Sequence, residues 1–250
     1  MAAAKKQPLA WSYSRLADYE KCPQLFKFKV IEKRPEPSNE YMERGGRIHE
    51  QAQVCLMKPK SKIPADLKRV AAEIKLLRSL KAEPEGMLSF TDQFKKKTTW
   101  FGKDAWARVK VDATARVTYL EALEQIAPNE VHWGQRGQLD KLTPGVWVVD
   151  WKTGQFKPER STDQVELYAL GAYLDDSVAE FVIVSLVYVD FGRTVHAYFD
   201  LSKKQLERLK QKWLKKVAPM QADTRFKPKP GVQCDWCFFS KKKGGPCLAG

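Results

Sequence analysis

The stretch VVDWKTG, residues 148–154, sets an aspartate and a lysine two positions apart at the end of an apolar run. Side chains alternate across a strand, so Asp150 and Lys152 share one face while Val149 and Trp151 share the other. A carboxylate beside an ammonium is most often a satisfied ion pair at a strand end. With a second carboxylate it becomes a set that can cleave a phosphodiester. That reaction calls for a divalent cation held by carboxylates, and for a further cation that orients water or stabilises the transition state. Two acids offer themselves as the second carboxylate. Asp112, in WARVKVDATA, has the side-chain parity of Arg108 and Lys110, with Val109 and Val111 behind them. Asp140, in RGQLDKL, stands ten residues before Asp150 across the turn TPG, a span that a short hairpin closes.

A second constellation is made of sulfur. The five cysteines fall at 22, 55, 234, 237 and 247, and CDWCFFSKKKGGPC gives the spacing C-x2-C-x9-C. A close thiol pair on one tight turn is what chelation of a soft metal requires. Three thiols do not complete a tetrahedral site, and the fourth is Cys22 or Cys55. Cys55, in QVCLM, sits among apolar residues of a helical segment, where a buried inert thiol is the commoner fate. Cys22 precedes a chain-turning proline and is the better candidate.

The elements that must carry these groups follow from periodicity. SRLADYEKCPQLFKFKVIEK has helical spacing, with Ser12 or Ser14 as its cap and Pro23 as its break. EPSNEYMERGGRIHEQAQVCLM is a loop leading into a helix that begins near the glycine pair, and ADLKRVAAEIKLLRSLKA is an amphipathic helix. From residue 88 the period becomes two. LSFTDQFKKKTTWF, DAWARVKVDATARVTYL, GQLDKL, VWVVDWKTG, EFVIVSLVYVDF and RTVHAYFDL all read as strands. STDQVELYALGAYL is a helix set among them, and SKKQLERLKQKWLKKVAPM is a long basic helix capped by Ser202. The order predicts a mixed α/β core with helical flanks.

Composition narrows the class of partner. The 250 residues are 43% hydrophobic, enough to bury a core, and 44 Lys and Arg against 30 acids leave a formal charge of +14. That balance favours a polyanion, with nucleic acid first. No run approaches the ~20 apolar residues of a membrane span, and the first residues lack the apolar region of a secretory signal, so a cytoplasmic protein without a membrane partner is expected.

Taken in order, SYSRLADYEKCP, GGRIH, a strand ending in Asp, VVDWKTG, QVELY and CDWCFFSKKKGGPC resemble the RecB-type nucleases of the PD-(D/E)xK superfamily. The similarity is greatest to the phage and CRISPR-adaptation exonucleases that carry an iron–sulfur cluster. The resemblance implies a restriction-endonuclease-like fold, a mixed central sheet flanked by helices. It implies one nuclease domain over 1–250, with a helical part (1–85), a catalytic sheet core (86–220) and a Cys-rich segment (221–250). It makes His49 a metal ligand, with Asp112 or Asp140 as the central carboxylate, Asp150 as the second, the Trp151 carbonyl as a further oxygen and Lys152 as the water-orienting cation. Gln164 and Tyr168, one helical turn apart, would face the site. The W-x-R-x-x-x-D form of WARVKVD favours Asp112, while GQLD fits the G-x-x-D form equally well. The implied cofactors are Mn2+ or Mg2+, the imidazole suiting manganese, and a [4Fe–4S] cluster on Cys22, Cys234, Cys237 and Cys247, with Zn2+ as its rival on the same thiolates. That metal group would join the N-terminal helices to the C-terminal tail. The implied activity is a DNA exonuclease or end-processing nuclease in phage recombination or replication, working with a single-strand annealing protein or a helicase. The alternative is a DNA-binding module on a nuclease fold whose chemistry is lost or minor.

Overall fold

The computed structural model describes residues 9–126, 131–133, 139–200 and 202–249. A six-stranded sheet in the order β1-β2-β4-β5-β6-β3 forms its centre. The strands are β1 (Glu83–Phe90), β2 (Ala107–Thr118), β3 (Val131–Trp133), β4 (Pro144–Lys152), β5 (Phe181–Tyr188) and β6 (Arg193–Asp200). β4 and β5 are parallel, as are β3 and β6, and the other pairs are antiparallel. The helices are α1 (Tyr13–Lys21), α2 (Pro23–Phe26), α3 (Glu40–Met57), α4 (Ala71–Ser79), α5 (Tyr119–Gln125), α6 (Thr162–Asp175) and α7 (Lys203–Ala222).

Two cores cover the two faces of the sheet. Val146, Val148, Val182, Val184 and Leu186 pack under α6 and α7, whereas Trp147, Val149, Trp151, Ile183 and Val187 pack under α3, α4 and α5. The alternation along β4 therefore sends Asp150 and Lys152 toward α6 and Trp151 toward α3. β4 and β5 are buried on both faces, which is why they read as nearly unbroken apolar runs. A third, small cluster of Leu25, Phe28 and Phe239 joins α2 and the turn after it to the C-terminal segment, with Cys22, Cys237 and Cys247 packed on it. Among the described residues no helix is long and apolar enough to cross a membrane.

The ends of the elements follow local chemistry. Ser12 caps α1, and Pro23 at the start of α2 leaves Cys22 as the extended joint between the two helices. Ser202 caps α7 reciprocally with Gln205. Several expected boundaries move. α3 starts at Glu40, capped by Asn39, a full turn before the glycine pair. The expected helix ADLKRVAAEIKLLRSLKA splits into a 3-10 segment (Ala65–Val70) and α4. The strand expected through VTYL stops at Thr118, because Thr118 and Glu121 form a capping box that opens α5. The first two residues of the expected strand GQLDKL lie outside the described residues. Its described part is a turn, with Asp140 Oδ1 accepting from Leu142 N at 2.9 Å and the Asp140 carbonyl accepting from Thr143 N at 3.0 Å.

Candidate active site

Asp112 and Asp150 meet where the β2–β4 ladder ends. The last paired residues there are Ala113 and Val149. Beyond them the Trp151 peptide N–H donates to Asp112 Oδ2 at 2.8 Å instead of to a neighbouring strand. The N–H and C=O of a strand residue point the same way, so the Trp151 carbonyl faces the same gap. From α3, His49 Nδ1 donates to Asp112 Oδ1 at 2.9 Å. Asp112 thus ties helix, strand end and gap together.

On the α6 side, four side chains close a ring. Tyr168 Oη donates to Asp150 Oδ1, Gln164 Nε2 donates to Tyr168 Oη, and Lys152 Nζ donates to Gln164 Oε1, each at 2.7 Å. Lys152 Nζ also lies 2.7 Å from Asp150 Oδ2 as an ion pair, but that buried oxygen receives no directed hydrogen bond. Spacing i, i+4 on α6 puts Gln164 and Tyr168 over Asp150. α6 is itself clamped to α7 by Asp163 with Lys212 and Lys216, and by Glu166 with Lys212.

Burial sets the electrostatics. Asp112 is pushed above the ordinary carboxylate range by burial and by the charge of Asp150, and drawn back only in part by His49 and the Trp151 N–H. Burial alone would lower His49, but the bond to Asp112 and the charges of Asp112 and Asp150 outweigh it and leave the imidazole above its usual value. Burial, then the charge and hydrogen bond of Asp150, hold the Tyr168 hydroxyl well above 10, so it stays a donor. Two carboxylates this close and this buried call for positive charge nearby.

Among the described residues, no group of three or more His, Cys, Asp or Glu side chains is spaced as a ready-made metal site. The chemistry of the donors still fits a hard divalent cation. Two carboxylates and a peptide carbonyl are oxygen donors, His49 Nδ1 is taken by Asp112 in the manner that leaves Nε2 for a metal, and Asp150 Oδ2 is a buried acceptor without a donor. Asp140 is not brought to this group. It precedes the start of β4, and the strand from Pro144 to Asp150 spans about 20 Å at ~3.3 Å per residue. Sequence spacing allowed a hairpin between Asp140 and Asp150 beside the favoured Asp112, and the antiparallel partner of β4 is β2, the strand of Asp112.

The cysteines separate in the same way. Cys22, Cys234, Cys237 and Cys247 line one cavity with Leu25, Phe28 and Phe239, while Cys55 is buried in the core under α3. Burial pushes the Cys237 thiol up; the Phe239 N–H offsets this in part, and the neighbouring Cys22, Cys247 and Cys234 add to it. The tail is held to the N-terminal helices by Lys229 N donating to Cys22 Sγ at 3.3 Å and by Lys229 Nζ donating to the Glu20 carbonyl at 3.0 Å. Four thiols in one cavity are a donor set suited to a soft metal or an iron–sulfur group.

Two residues that sequence reasoning did not single out fasten the site. Asp190, just after β5, pairs with Arg44 of α3 and accepts from Gly154 N at 2.7 Å. Gly154 has φ +86°, which glycine adopts without strain, and that turn carries the chain away from Lys152. Arg44 thereby anchors α3, the helix of His49, to the strand ends. The position of Arg44 beside the glycine pair is the one sequence hint; nothing local marks Asp190 as its partner.

Comparison with known proteins gives a family. The model of the PD-(D/E)XK nuclease superfamily matches residues 10–241. A search of curated proteins found no match. Among solved structures, the protein SSO0001 is similar over 99% of this chain and 90% of its own, at 16% identity and a TM-score of 0.40. A candidate exonuclease from Eubacterium rectale is similar over 91% of this chain and 86% of its own, at 13% identity and a TM-score of 0.45.

Proposed function

Since the chain belongs to the PD-(D/E)XK nuclease superfamily, we propose that it is a divalent-metal-dependent deoxyribonuclease, an exonuclease or end-processing enzyme that hydrolyses phosphodiester bonds. The observation that carries this reading is the meeting of Asp112, Asp150, His49 and Lys152 at the C-terminal end of β4, around a buried carboxylate oxygen that has no donor. Mg2+ or Mn2+, when bound there, would supply charge neutralisation at the phosphate and activation of water near neutral pH. Asp112, Asp150, the Trp151 carbonyl and His49 Nε2 are the groups that would hold it, and the imidazole suits Mn2+. Lys152 has three N–H donors, gives one to Gln164 and meets Asp150 only as an ion pair, so donor capacity is left for a water or a phosphate oxygen. Tyr168 and Gln164 keep the carboxylate and the ammonium in register. A net charge of +14 supports DNA as the polyanionic substrate.

End-labelled DNA incubated with Mn2+ or Mg2+ tests this. Wild-type protein degrades it, and the 5′ or 3′ label reports the polarity. Lys152→Ala and Asp150→Ala each lose on the order of 100-fold or more in rate while metal-free DNA binding stays within a few-fold. Binding without cleavage by the wild type in any divalent ion would refute catalysis and leave a DNA-binding module.

The four thiols on one cavity support a second metal group, a [4Fe–4S] cluster joining α1 and α2 to the C-terminal segment, with zinc on the same thiolates as the alternative. Anaerobic protein is then brown and absorbs near ~400 nm. Cys22→Ser or Cys237→Ser removes the metal and lowers thermal stability, whereas Cys55→Ser retains it. Elemental analysis separates iron from zinc, and anaerobic protein with neither refutes the site.

A further inference from the structure

Beside the ring of Asp150 and Lys152 lies a group of side chains that the hydrolysis does not use. Lys152, Tyr188 and Arg193 are Cα partners across β4, β5 and β6. Partners in register leave the same face of a sheet, so the three form a row, and at ~4.8 Å between strands Arg193 stands about 10 Å from Lys152. Phe156, in the loop after Lys152, meets this row. Its ring is edge-on to Tyr188 at 4.7 Å, lies 5.8 Å from Phe191, and carries the Arg193 guanidinium 4.2 Å over its face.

Exposure separates these residues into support and surface. Tyr188 is buried with Phe156 edge-on to its ring, so it is a floor. Phe191 is 49% exposed, and Arg193 is exposed. Phe191 is set apart from other exposed apolar side chains by its place beside Phe156, whose face carries the Arg193 guanidinium. Of the two acids nearby, Asp190 is taken by Arg44 and Gly154, and Glu159 is exposed in a loop that also holds Lys157 and Arg160. What is left at the surface is an aromatic face with cations around it, one nucleotide or so from the ammonium.

We propose that Phe156, Phe191 and Arg193 form a base-stacking site, which receives the nucleobase next to the scissile phosphate. The proposal deepens the nuclease reading above and rests on it. Every base has a π-face, so stacking on Phe191 binds without reading sequence, while Arg193 adds its charge for the adjoining phosphate. A base inside a duplex is stacked on both faces, so it reaches that ring from a single strand or at a duplex end. The strand being cut therefore enters as a single strand or as a frayed end.

The test uses the full chain in EDTA, so that binding is read without cleavage. Fluorescence anisotropy compares a labelled single-stranded oligonucleotide with a blunt duplex of equal length. Phe191→Ala weakens single-strand binding on the order of 10-fold and duplex binding less than about twofold, and Phe191→Trp restores the loss. A 2-aminopurine placed along the single strand is quenched at one position by the wild type and not by Phe191→Ala. Circular dichroism and melting of Phe191→Ala match the wild type, because the side chain is half-exposed. Equal single-strand affinity for wild type and Phe191→Ala overturns the site while leaving the nuclease reading in place. Unchanged DNA binding with loss of concentration-dependent self-association would assign the patch to protein contact and also overturn it. A wild type that binds neither DNA removes the nuclease reading itself, and this site with it.

Discussion

Replacing Tyr168 by Phe removes one oxygen and two hydrogen bonds from the centre of the molecule. The hydroxyl donates to Asp150 Oδ1 and accepts from Gln164 Nε2, both at 2.7 Å. Asp150 is only 5% exposed, so water does not readily take the place of the lost donor. A hydrogen bond to a charged acceptor contributes about 1.5–3 kcal/mol, and a buried polar group left unsatisfied costs about 1–3 kcal/mol. Tyr168→Phe should therefore lower stability by about 2–3 kcal/mol, which for a chain of this size is a fall in Tm of roughly 4–12 °C. Function should suffer through Asp150. Groups that support a metal ligand typically contribute 10–100-fold in affinity or activity, so the nuclease rate at low metal should fall by about that factor. Raising Mn2+ should recover much of it, because the ligand itself is still present. Thermal melting without DNA and initial rates of DNA degradation across a Mn2+ titration read both effects. An unchanged Tm with an unchanged metal midpoint would refute the positioning argument. A well-folded variant dead at every metal concentration would refute it differently, by making the hydroxyl a reacting group.

Three further outcomes follow from the geometry. Asp112→Asn should cost several orders of magnitude in rate and weaken metal binding by calorimetry, whereas Asp140→Asn, whose carboxylate caps a turn, should keep wild-type rate; the reverse would overturn the placement of the site. Asp190→Ala releases Arg44 and Gly154 and should lower the rate on the order of 10-fold with little change in DNA binding, while hydrogen exchange in α3 speeds up; unchanged exchange there would remove the latch. Burial raises the Asp163 carboxyl, but Lys212 and Lys216 overcome this and hold it below its ordinary value. Its stabilising contribution is thus full above the unfolded pKa near ~4 and is lost as pH falls through the lower folded value. Asp163→Asn should be less stable by about 0.5–1 kcal/mol in urea at pH 7, and the gap to wild type should narrow steadily as the pH is lowered below ~4; a gap that stays constant on acidification would contradict the ion-pair origin.

What could be read from the chain was local. Asp150 and Lys152 share a face because strand alternation permits nothing else, and Gln164 and Tyr168 meet because i, i+4 is one helical turn. Both facts lie within a few residues, and both groups sit in one ring. The choice between Asp112 and Asp140 needed strand order, which local pattern does not carry: a nearby acid across a turn looks like a hairpin partner until β2 takes that place. Thr118 and Glu121 did carry a readable signal, a T-x-x-E capping box, but it lies inside an alternating apolar run and the period of two hid it. The helix ahead of His49 was placed too late because the glycine pair drew the boundary, although Asn39 is the stronger cap. Asp190 and Arg44 lie 146 positions apart, and no spacing argument reaches across that distance.

The segment between β2 and β4 has its own consequence. Tyr119 N donates to the Thr143 carbonyl and Leu120 N to the Lys141 carbonyl, so the chain leaves the sheet and comes back at one point. That point pairs Thr118 with Pro144, and about 27 Å of β4 separates it from Lys152. Because the excursion is closed at its own base, a change in its length does not shift the register of β2 against β4, and each doubling of a connection's length costs only about 0.6 kcal/mol. Insertions and deletions there should be cheap, and what limits them is the short β3, which covers the otherwise open edge of β6. The sheet thus has one end that tolerates rewriting and another where a shift of an ångström matters. Length variation among proteins of this architecture can collect at the first end without disturbing the geometry at the second.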